Sequence, residues 1–201
     1  MITVHHLNQS RSTRVLWLLE ELKAPYEVVK HIRDAATHLA PASLKAIHPL
    51  AKAPVIVDDG ITLCESGAVM EYILNTYGQQ RLRPQQDSKD YYAYLEWLHF
   101  AEGSLALPVI TSMLMGMEER GAKPLDGYIQ KELSLDFSYI EARLSDVKYF
   151  AGEEFSAADI MMSIMLGIAD SLSMLKDRPN TKAYLTSMQA RPAYEKAAAY
   201  S

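Results

Sequence analysis

The periodicity of apolar residues changes once along this chain, and the change limits the folds open to it. Before residue 79, short β-rich runs alternate with amphipathic helical stretches, which is the pattern of an α/β sheet. From Lys89 onward the β-branched runs disappear and only long helical patterns remain. The segment between them is polar and contains Pro84, as an exposed connector does. We therefore predict an α/β domain at 1–79, a linker at 80–88 and an all-α domain at 89–201.

The first domain is predicted to have the element order βαβ, then α, then ββα. Apolar residues at Val15, Leu18, Leu19 and Leu22 repeat every three or four positions and so form one face of a helix. The predicted segments are a strand at 2–6, a helix at 14–22, a strand at 26–29, a short helix at 42–46, a hairpin of strands at 54–57 and 61–63, and a helix at 65–77.

Composition and charge argue against several classes of function. The net charge is −5 and no block of basic residues is long enough to neutralise a phosphate backbone, so nucleic acid is not the expected partner. The N-terminus lacks the pattern of a secretory signal, and no uninterrupted apolar run reaches membrane-spanning length, so we expect a cytoplasmic protein without a membrane partner. Cys64 is the only cysteine, which excludes an intrachain disulfide, a CxxC pair and a cysteine-rich zinc site. We predict no metal site, and thiol chemistry would have to use the sulfur of a second molecule.

Four short motifs occur in a fixed order. They are HLNQSRSTRVLWLLEEL at 6–22, HPLAKAPVI at 48–56, CESGA at 64–68 and FAGEEFSAADI at 150–160. Together with the element order, they resemble the glutathione transferase superfamily over essentially the whole chain. The pattern is most similar to bacterial members with a serine in the active-site loop, related to the theta, zeta and tau classes. The resemblance implies a thioredoxin-like domain that binds glutathione as co-substrate, and a helical-bundle domain that shapes the electrophile pocket.

The loop before the first helix would have to stabilise a thiolate, because a thiol with a pKa near ~8.5 is mostly protonated at neutral pH. The unpaired N–H groups at the start of a helix favour an anion there. By resemblance, the hydroxyl of Ser10 donates a hydrogen bond to the glutathione sulfur. Ser10 acting only as the helix N-cap is the alternative, and Ser12 or Asn8 are the other candidate sulfur contacts. Arg11 and Arg14 add positive charge, although arginines near a loop are usually solvated.

The resemblance assigns glutathione contacts in two further segments. It implies a cis Ala53–Pro54 bond, which leaves the backbone of Ala53 to pair with the cysteinyl part of glutathione like a β-strand. Lys52 occupies a position that helps to bind the tripeptide in tau-type enzymes, and Ala51 stands where related chains commonly have glycine, which matters if that backbone needs a positive φ.

Ser66 opens a helix and would bind the γ-glutamyl carboxylate, while Glu65 would hold the α-ammonium group. For Ser66 the alternative is a helix cap alone. Ser156 and Asp159 have the spacing of a capping box, which we interpret as structural rather than catalytic.

The resemblance leaves two functions open. The first is an enzyme that adds glutathione to small hydrophobic electrophiles or uses it to reduce peroxides. The second is a non-catalytic binding or regulatory protein on the same scaffold, because a fold does not determine a function. A disulfide-exchanging reductase is less expected, since Ser10 stands where such an enzyme needs cysteine. Relatives are usually two-fold dimers, so we expect a homodimer.

Overall fold

The computed structural model describes residues 1–119 and 121–200. Within them the chain separates into two compact units, one made of residues 1–82 with 189–200 and the other of residues 83–188. The change from one unit to the next at Leu82 and Arg83 lies inside the polar segment that the sequence marks as a connector.

The first unit has the thioredoxin-like element order that the sequence predicts. Its elements are β1 (Ile2–Leu7), α1 (Thr13–Leu22), β2 (Tyr26–His31), α2 (Ala42–Lys45), β3 (Val55–Asp58), β4 (Ile61–Cys64) and α3 (Ser66–Tyr77). The sheet order is β2-β1-β3-β4, with β1 and β2 parallel and the other pairs antiparallel. The predicted order is confirmed, and the ends of individual elements differ from the prediction by one or two residues.

The core of this unit follows from the alternation of side chains along β1. Ile2 and Val4 are fully buried on one face of the sheet. Leu7 points to the other face and packs with Leu44 of α2 and Val55 of β3. Because both faces of β1 are covered, the strand is fixed in its register at the centre of the sheet. The loop that follows Leu7 is therefore held at a defined place.

The second unit is all-α, as the sequence predicts. Its helices are α4 (Asp90–Phe100), α5 (Ala106–Met115), α6 (Pro124–Asp146), α7 (Ala157–Ser171) and α8 (Pro179–Gln189), with a π-helical segment at Ala101–Leu105 between α4 and α5. Helix α7 forms the core, since it is buried at almost every position of its first three turns. Among the residues that the structure describes, one helical stretch, Asp90–Met115, is long and apolar enough to cross a membrane, and an 18-residue window within it has a mean hydropathy of 1.3. Core helices of soluble proteins pass the same test of length and composition.

The predicted capping box at the start of α7 is confirmed. The Asp159 carboxylate accepts hydrogen bonds from the backbone N–H and the hydroxyl of Ser156, at 2.8 and 3.0 Å. It also accepts from the Phe150 N–H at 2.9 Å and from the Tyr184 hydroxyl at 2.8 Å. All of these bonds hold the loop before α7 and helix α8 to the start of α7. The carboxylate thus has a structural role, as we expected.

The last helix, α9 (Pro192–Ala198), packs with the first unit rather than with the helical unit. The sequence-based division placed all of 89–201 in the helical domain, whereas residues 189–200 group here with the first compact unit; the domain division stays a prediction. The Trp17 ring of α1 lies edge-on to the Tyr194 ring, with centroids 5.0 Å apart. Arg191 donates from Nε and Nη2 to the two carboxylate oxygens of Glu21, at 2.6 and 2.9 Å. An aromatic contact and a bidentate ion pair therefore hold α9 against α1.

Candidate active site

The sheet brings three of the predicted site segments to one edge. In the antiparallel pairs, His5 near the end of β1 lies opposite Val55 at the start of β3, and Val55 lies opposite Cys64 at the end of β4. The loop after β1, the segment before β3 and the segment after β4 therefore meet at the same edge of the sheet. These are the segments that contain Ser10, Ala53–Pro54 and Glu65–Ser66.

Ser10 lies in the loop just before α1 and is half-buried. Its hydroxyl is 2.6 Å from the Leu7 carbonyl, to which it donates, and 2.7 Å from the Ser12 hydroxyl. Its oxygen also accepts from the Ser12 N–H at 3.2 Å, although the N-cap position of α1 is Ser12 and not Ser10. The proton of Ser10 thus points into the protein in this structure, and donation to a sulfur requires the hydroxyl to rotate about its C–O bond.

The two other candidate sulfur contacts have partners of their own. Ser12 is fully buried, and its hydroxyl lies 2.8 Å from His6 Nδ1 and accepts from the Leu7 N–H at 3.3 Å. The side-chain oxygen of Asn8 accepts from the Arg33 N–H at 2.8 Å, which ties the loop to the end of β2. Both side chains therefore hold the loop in place through hydrogen bonds to other residues of the unit. Of the two serines, Ser10 is the more exposed.

The segment before β3 has the backbone that the resemblance implies. The Ala53–Pro54 peptide bond is cis. Ala53 precedes the paired part of β3, since the ladders begin at Val55. The backbone of Ala51 is left-handed, with φ at 49°. This conformation favours glycine, and an alanine that adopts it is conformationally strained. Lys52 is exposed.

The start of α3 holds an unusual backbone at Glu65. This residue has φ 75° and ψ 121°, which a residue with a side chain rarely adopts and which commonly marks a functional site. The conformation leads directly into the first turn of α3, where Ser66 is buried with 4 % of its surface exposed. Glu65 itself is exposed, and Cys64 packs against the apolar cluster of Leu7, Leu44 and Val55.

Arg14 differs from the expectation of a solvated arginine. It is fully buried rather than solvated, and its Nη1 donates to the Ser66 hydroxyl at 3.3 Å. A serine hydroxyl that accepts from arginine keeps its own proton for another acceptor, such as a carboxylate. Arg14 also places a positive charge beside the N-terminus of α3. Arg14 stands in the first turn of α1, after Ser12 and Thr13 and before the apolar run that begins at Val15, so its neighbours in sequence did not indicate that it is buried.

Three buried histidines lie next to the loop and belong to two separate hydrogen-bonded groups. His5 Nδ1 is 3.0 Å from His31 Nε2, and His31 Nδ1 is 2.9 Å from the Ser43 hydroxyl. His6 lies on the other face of β1, with Nδ1 toward Ser12 and Nε2 3.0 Å from the Tyr200 carbonyl oxygen. Burial lowers the pKa of all three imidazoles, so they are neutral at physiological pH.

Two family models match the chain, and they cover most of its length. The model of the glutathione S-transferase N-terminal domain matches residues 1–75, and that of the glutathione S-transferase C-terminal domain matches residues 104–192. The chain belongs to the glutathione transferase family. The family relationship that the four motifs suggested is thereby confirmed, and the match to the bacterial serine-loop type stays a prediction.

Similar proteins support the same relationship over nearly the full chain. Glutathione S-transferase 3 of Schizosaccharomyces pombe is 36 % identical, with 96 % of this chain and 85 % of that protein covered. Glutathione S-transferase GstB of Escherichia coli K12 is 30 % identical, with 98 % and 97 % covered. A crystal structure of a glutathione S-transferase from Actinobacillus pleuropneumoniae is 33 % identical, with a TM-score of 0.89 and 98 % and 91 % covered. This transferase is therefore an enzyme with glutathione as its co-substrate.

Proposed function

We propose that this transferase holds the thiolate of glutathione at Ser10 and adds it to small hydrophobic electrophiles. The observation that carries the proposal is the shared edge of the sheet at which Ser10, the cis Ala53–Pro54 bond and the Ser66 hydroxyl meet. Each of the three is suited to a different part of the tripeptide. The same thiolate would attack the oxygen of an organic peroxide, so peroxide reduction is a second activity to test.

The tripeptide would be held mainly by its backbone and its charged ends. The peptide groups of Ala53 lie just before the paired part of β3, where an extended ligand can continue the strand pairing. The Ser66 hydroxyl accepts from Arg14 and so has its proton available for the γ-glutamyl carboxylate. The first N–H groups of α3 favour the same carboxylate. Glu65 would hold the α-ammonium group, and Lys52 would contribute a positive charge from the exposed loop.

Activation of the thiol would come from the N-terminus of α1 and from Ser10. The helix end favours an anion, which contributes about 0.3–2 kcal/mol depending on burial. A hydrogen bond from Ser10 to a charged sulfur would add about 1.5–3 kcal/mol. Each unit by which the thiol pKa falls corresponds to about 1.4 kcal/mol, so these two contributions lower it by roughly one to four units.

We also propose that the protein is a soluble, cytoplasmic homodimer. Several large apolar side chains of the second unit are exposed, among them Tyr92, Leu107 and Met117, at 74 %, 61 % and 72 %. A second copy of the chain would cover such side chains. Analytical ultracentrifugation measures the mass directly, and a monomer at micromolar concentration would contradict the dimer.

The binding assignments can be tested with single substitutions at the sheet edge. We expect Ser66→Ala to weaken glutathione binding about 10–100-fold, because a hydrogen bond to a charged group is worth about 1.5–3 kcal/mol. Glu65→Gln should raise the KM for glutathione with little change in the KM for the electrophile. Thr62→Ala, on exposed β4 of the same unit, is the control and should leave both unchanged. Wild-type affinity in Ser66→Ala would refute the carboxylate assignment.

Turnover tests the assignment of Ser10 to the sulfur. With an activated chloronitrobenzene as electrophile, Ser10→Ala should lower kcat about 10–100-fold and leave glutathione affinity nearly unchanged. An organic hydroperoxide as second substrate tests the peroxidase activity in the same enzyme. Full conjugation activity in Ser10→Ala would move the sulfur contact to another residue of the loop.

A further inference from the structure

A continuous series of hydrogen bonds runs from Ser10 into the core of the first unit. The Ser10 hydroxyl is 2.7 Å from the Ser12 hydroxyl, which is 2.8 Å from His6 Nδ1. On the far side of the ring, His6 Nε2 is 3.0 Å from the Tyr200 carbonyl oxygen. Ser12 and His6 are 0 % and 1 % exposed, so their hydrogen bonds are closed to solvent. The series links the proposed sulfur contact to a buried base.

The Tyr200 carbonyl determines the direction of these bonds. A carbonyl oxygen can only accept, so His6 Nε2 carries a hydrogen, and in the neutral ring Nδ1 is then an acceptor. The Ser12 hydroxyl therefore donates to His6 Nδ1 at 2.8 Å, the shorter of its two contacts with an acceptor, since the Leu7 carbonyl is 3.4 Å away. Its oxygen is left to accept, from the Leu7 N–H at 3.3 Å. The Ser10 hydroxyl, which donates to the Leu7 carbonyl at 2.6 Å, can turn about its C–O bond and donate instead to the Ser12 oxygen 2.7 Å away. Every proton in the series points inward while His6 is neutral.

With its hydroxyl protons directed inward, the series can bind a thiol but not a thiolate. A Ser10 hydroxyl that donates inward, to Ser12 or to the Leu7 carbonyl, presents lone pairs outward and can accept from S–H. A thiolate needs the opposite, a hydroxyl that donates outward. All the bonds can reverse together only if His6 Nδ1 gains a proton, because it then donates to Ser12, Ser12 donates to Ser10, and Ser10 donates to the sulfur.

We propose that His6 is the internal acceptor of the glutathione thiol proton, which reaches it through the hydroxyls of Ser10 and Ser12. The S–H bond breaks as a bond from that proton to the Ser10 oxygen forms. The original Ser10 proton, once the hydroxyl has turned from the Leu7 carbonyl to Ser12, passes to the Ser12 oxygen, and the original Ser12 proton passes to His6 Nδ1. The products are a thiolate and an imidazolium, both serines end with one proton each, and no electron leaves the system. The inference rests on the proposed contact between Ser10 and the sulfur.

The surroundings of His6 suit a base that is neutral until the thiol arrives. Burial lowers its pKa, and Lys30 and His31, both on β2, lower it further, whereas the hydrogen bond to the Tyr200 carbonyl raises it. The Tyr200 ring lies edge-on to His6, and Lys30 Nζ is 4.9 Å from the centroid of that ring. The net effect keeps the ring uncharged before binding. Once the proton has moved, the new thiolate and the Tyr200 carbonyl both stabilise the imidazolium.

The test compares the thiolate formed with the protons that appear in solution. Glutathione is added to the wild-type enzyme in weak buffer near neutral pH, with ultraviolet absorbance reporting the thiolate and a pH indicator reporting released protons. S-methylglutathione, which has no thiol proton, is the reference for protons released by other groups. We expect a thiolate signal with far less than one proton released per thiolate, and nitrogen NMR signals of His6 that move to those of an imidazolium.

Variants separate the series from the rest of the site. Ser12→Ala interrupts it and should release about one proton for each thiolate that still forms, whereas Ser12→Thr keeps a hydroxyl and should behave as the wild type does. His5→Gln lies in the hydrogen-bonded group on the other face of β1 and is the control, with no expected change in proton release.

The wild-type measurements decide the question even if a variant fails to fold. A full proton released per thiolate, with unchanged His6 signals, would overturn the role of His6 and leave the thiolate at Ser10 in place. The absence of any thiolate signal would overturn both proposals.

Discussion

Asp159→Ala tests how much of the stability of the helical unit depends on one buried carboxylate. Asp159 is fully buried and accepts four hydrogen bonds, from two backbone N–H groups and two hydroxyls. Alanine removes the acceptor and leaves the N–H groups of Phe150 and Ser156 and the Tyr184 hydroxyl buried without it. Each buried donor that loses its partner costs about 1–3 kcal/mol. The Ser156 hydroxyl can turn to another acceptor, so we expect a loss of about 4 kcal/mol in the free energy of unfolding.

This loss is measurable by heat and by denaturant. A change of about 4 kcal/mol corresponds to a fall in Tm of roughly 8–16 °C for a chain of this size. Circular dichroism during heating and during urea unfolding gives the Tm and the urea midpoint. Asp170→Ala is the matched control, since Asp170 pairs with Lys182 at the surface and should contribute less than about 1 kcal/mol. A loss below about 1 kcal/mol in Asp159→Ala would refute the reasoning.

Three further perturbations test other parts of the fold. Stability should fall as the pH drops from about 7 through 6.5, with a slope of up to about 1.4 kcal/mol per pH unit for each histidine that is neutral when folded and charged when unfolded. These histidines are His5, His6 and His31. Asp136→Asn should stabilise the protein at pH 7 by about 1 kcal/mol or more. Burial and the charge of Glu132 raise the pKa of Asp136 to about 6, so ionisation of this carboxyl above pH 6 lowers the free energy of unfolding. Arg191→Ala should loosen α9 and speed hydrogen exchange of its amides by about 10-fold or more, since two charge-assisted bonds to Glu21 are lost.

Each of these perturbations has a control. For the histidines, urea unfolding at each pH measures the free energy of unfolding. A free energy that stays constant between pH 7 and 6 would show that the rings are not held neutral. Asp146→Asn, exposed at the end of α6, should leave stability at pH 7 nearly unchanged. Lys196→Ala removes an exposed ion pair to Glu20 and should leave α9 exchange close to that of the wild type. Equal exchange in the Arg191 and Lys196 variants would contradict the role of Arg191.

Much of the fold could be predicted because local patterns and tertiary packing agree. The alternation along β1, the apolar face of α1 and the capping box at Ser156 and Asp159 are all signals within a few residues of sequence. The position of α9 gave no such signal. It depends on Trp17 and Glu21 of α1 meeting Tyr194 and Arg191, which are about 170 residues away along the chain.

The candidate site was predictable in its segments but not in its contacts. The motifs at 48–56 and 64–68 indicate the cis proline and the start of α3, but the positive φ of Glu65 is a backbone strain that composition does not reveal. The buried Arg14 side chain donates to Ser66, 52 residues later, and the residues beside Arg14 in sequence do not indicate this partner. The hydrogen bonds of His6 depend on Tyr200, 194 residues away. Long-range partners of this kind decide the polar interior, and sequence periodicity does not report them.

The central claim is that the first loop holds a glutathione thiolate at Ser10. The most direct measurement is the ultraviolet thiolate absorbance of bound glutathione, titrated against pH in the wild type and in Ser10→Ala. We predict a thiol pKa roughly one to four units below the solution value of ~8.5 in the wild type, which rises back toward that value in Ser10→Ala. A bound thiol whose pKa is unshifted in the wild type, or lowered equally in both proteins, would contradict the role assigned to Ser10.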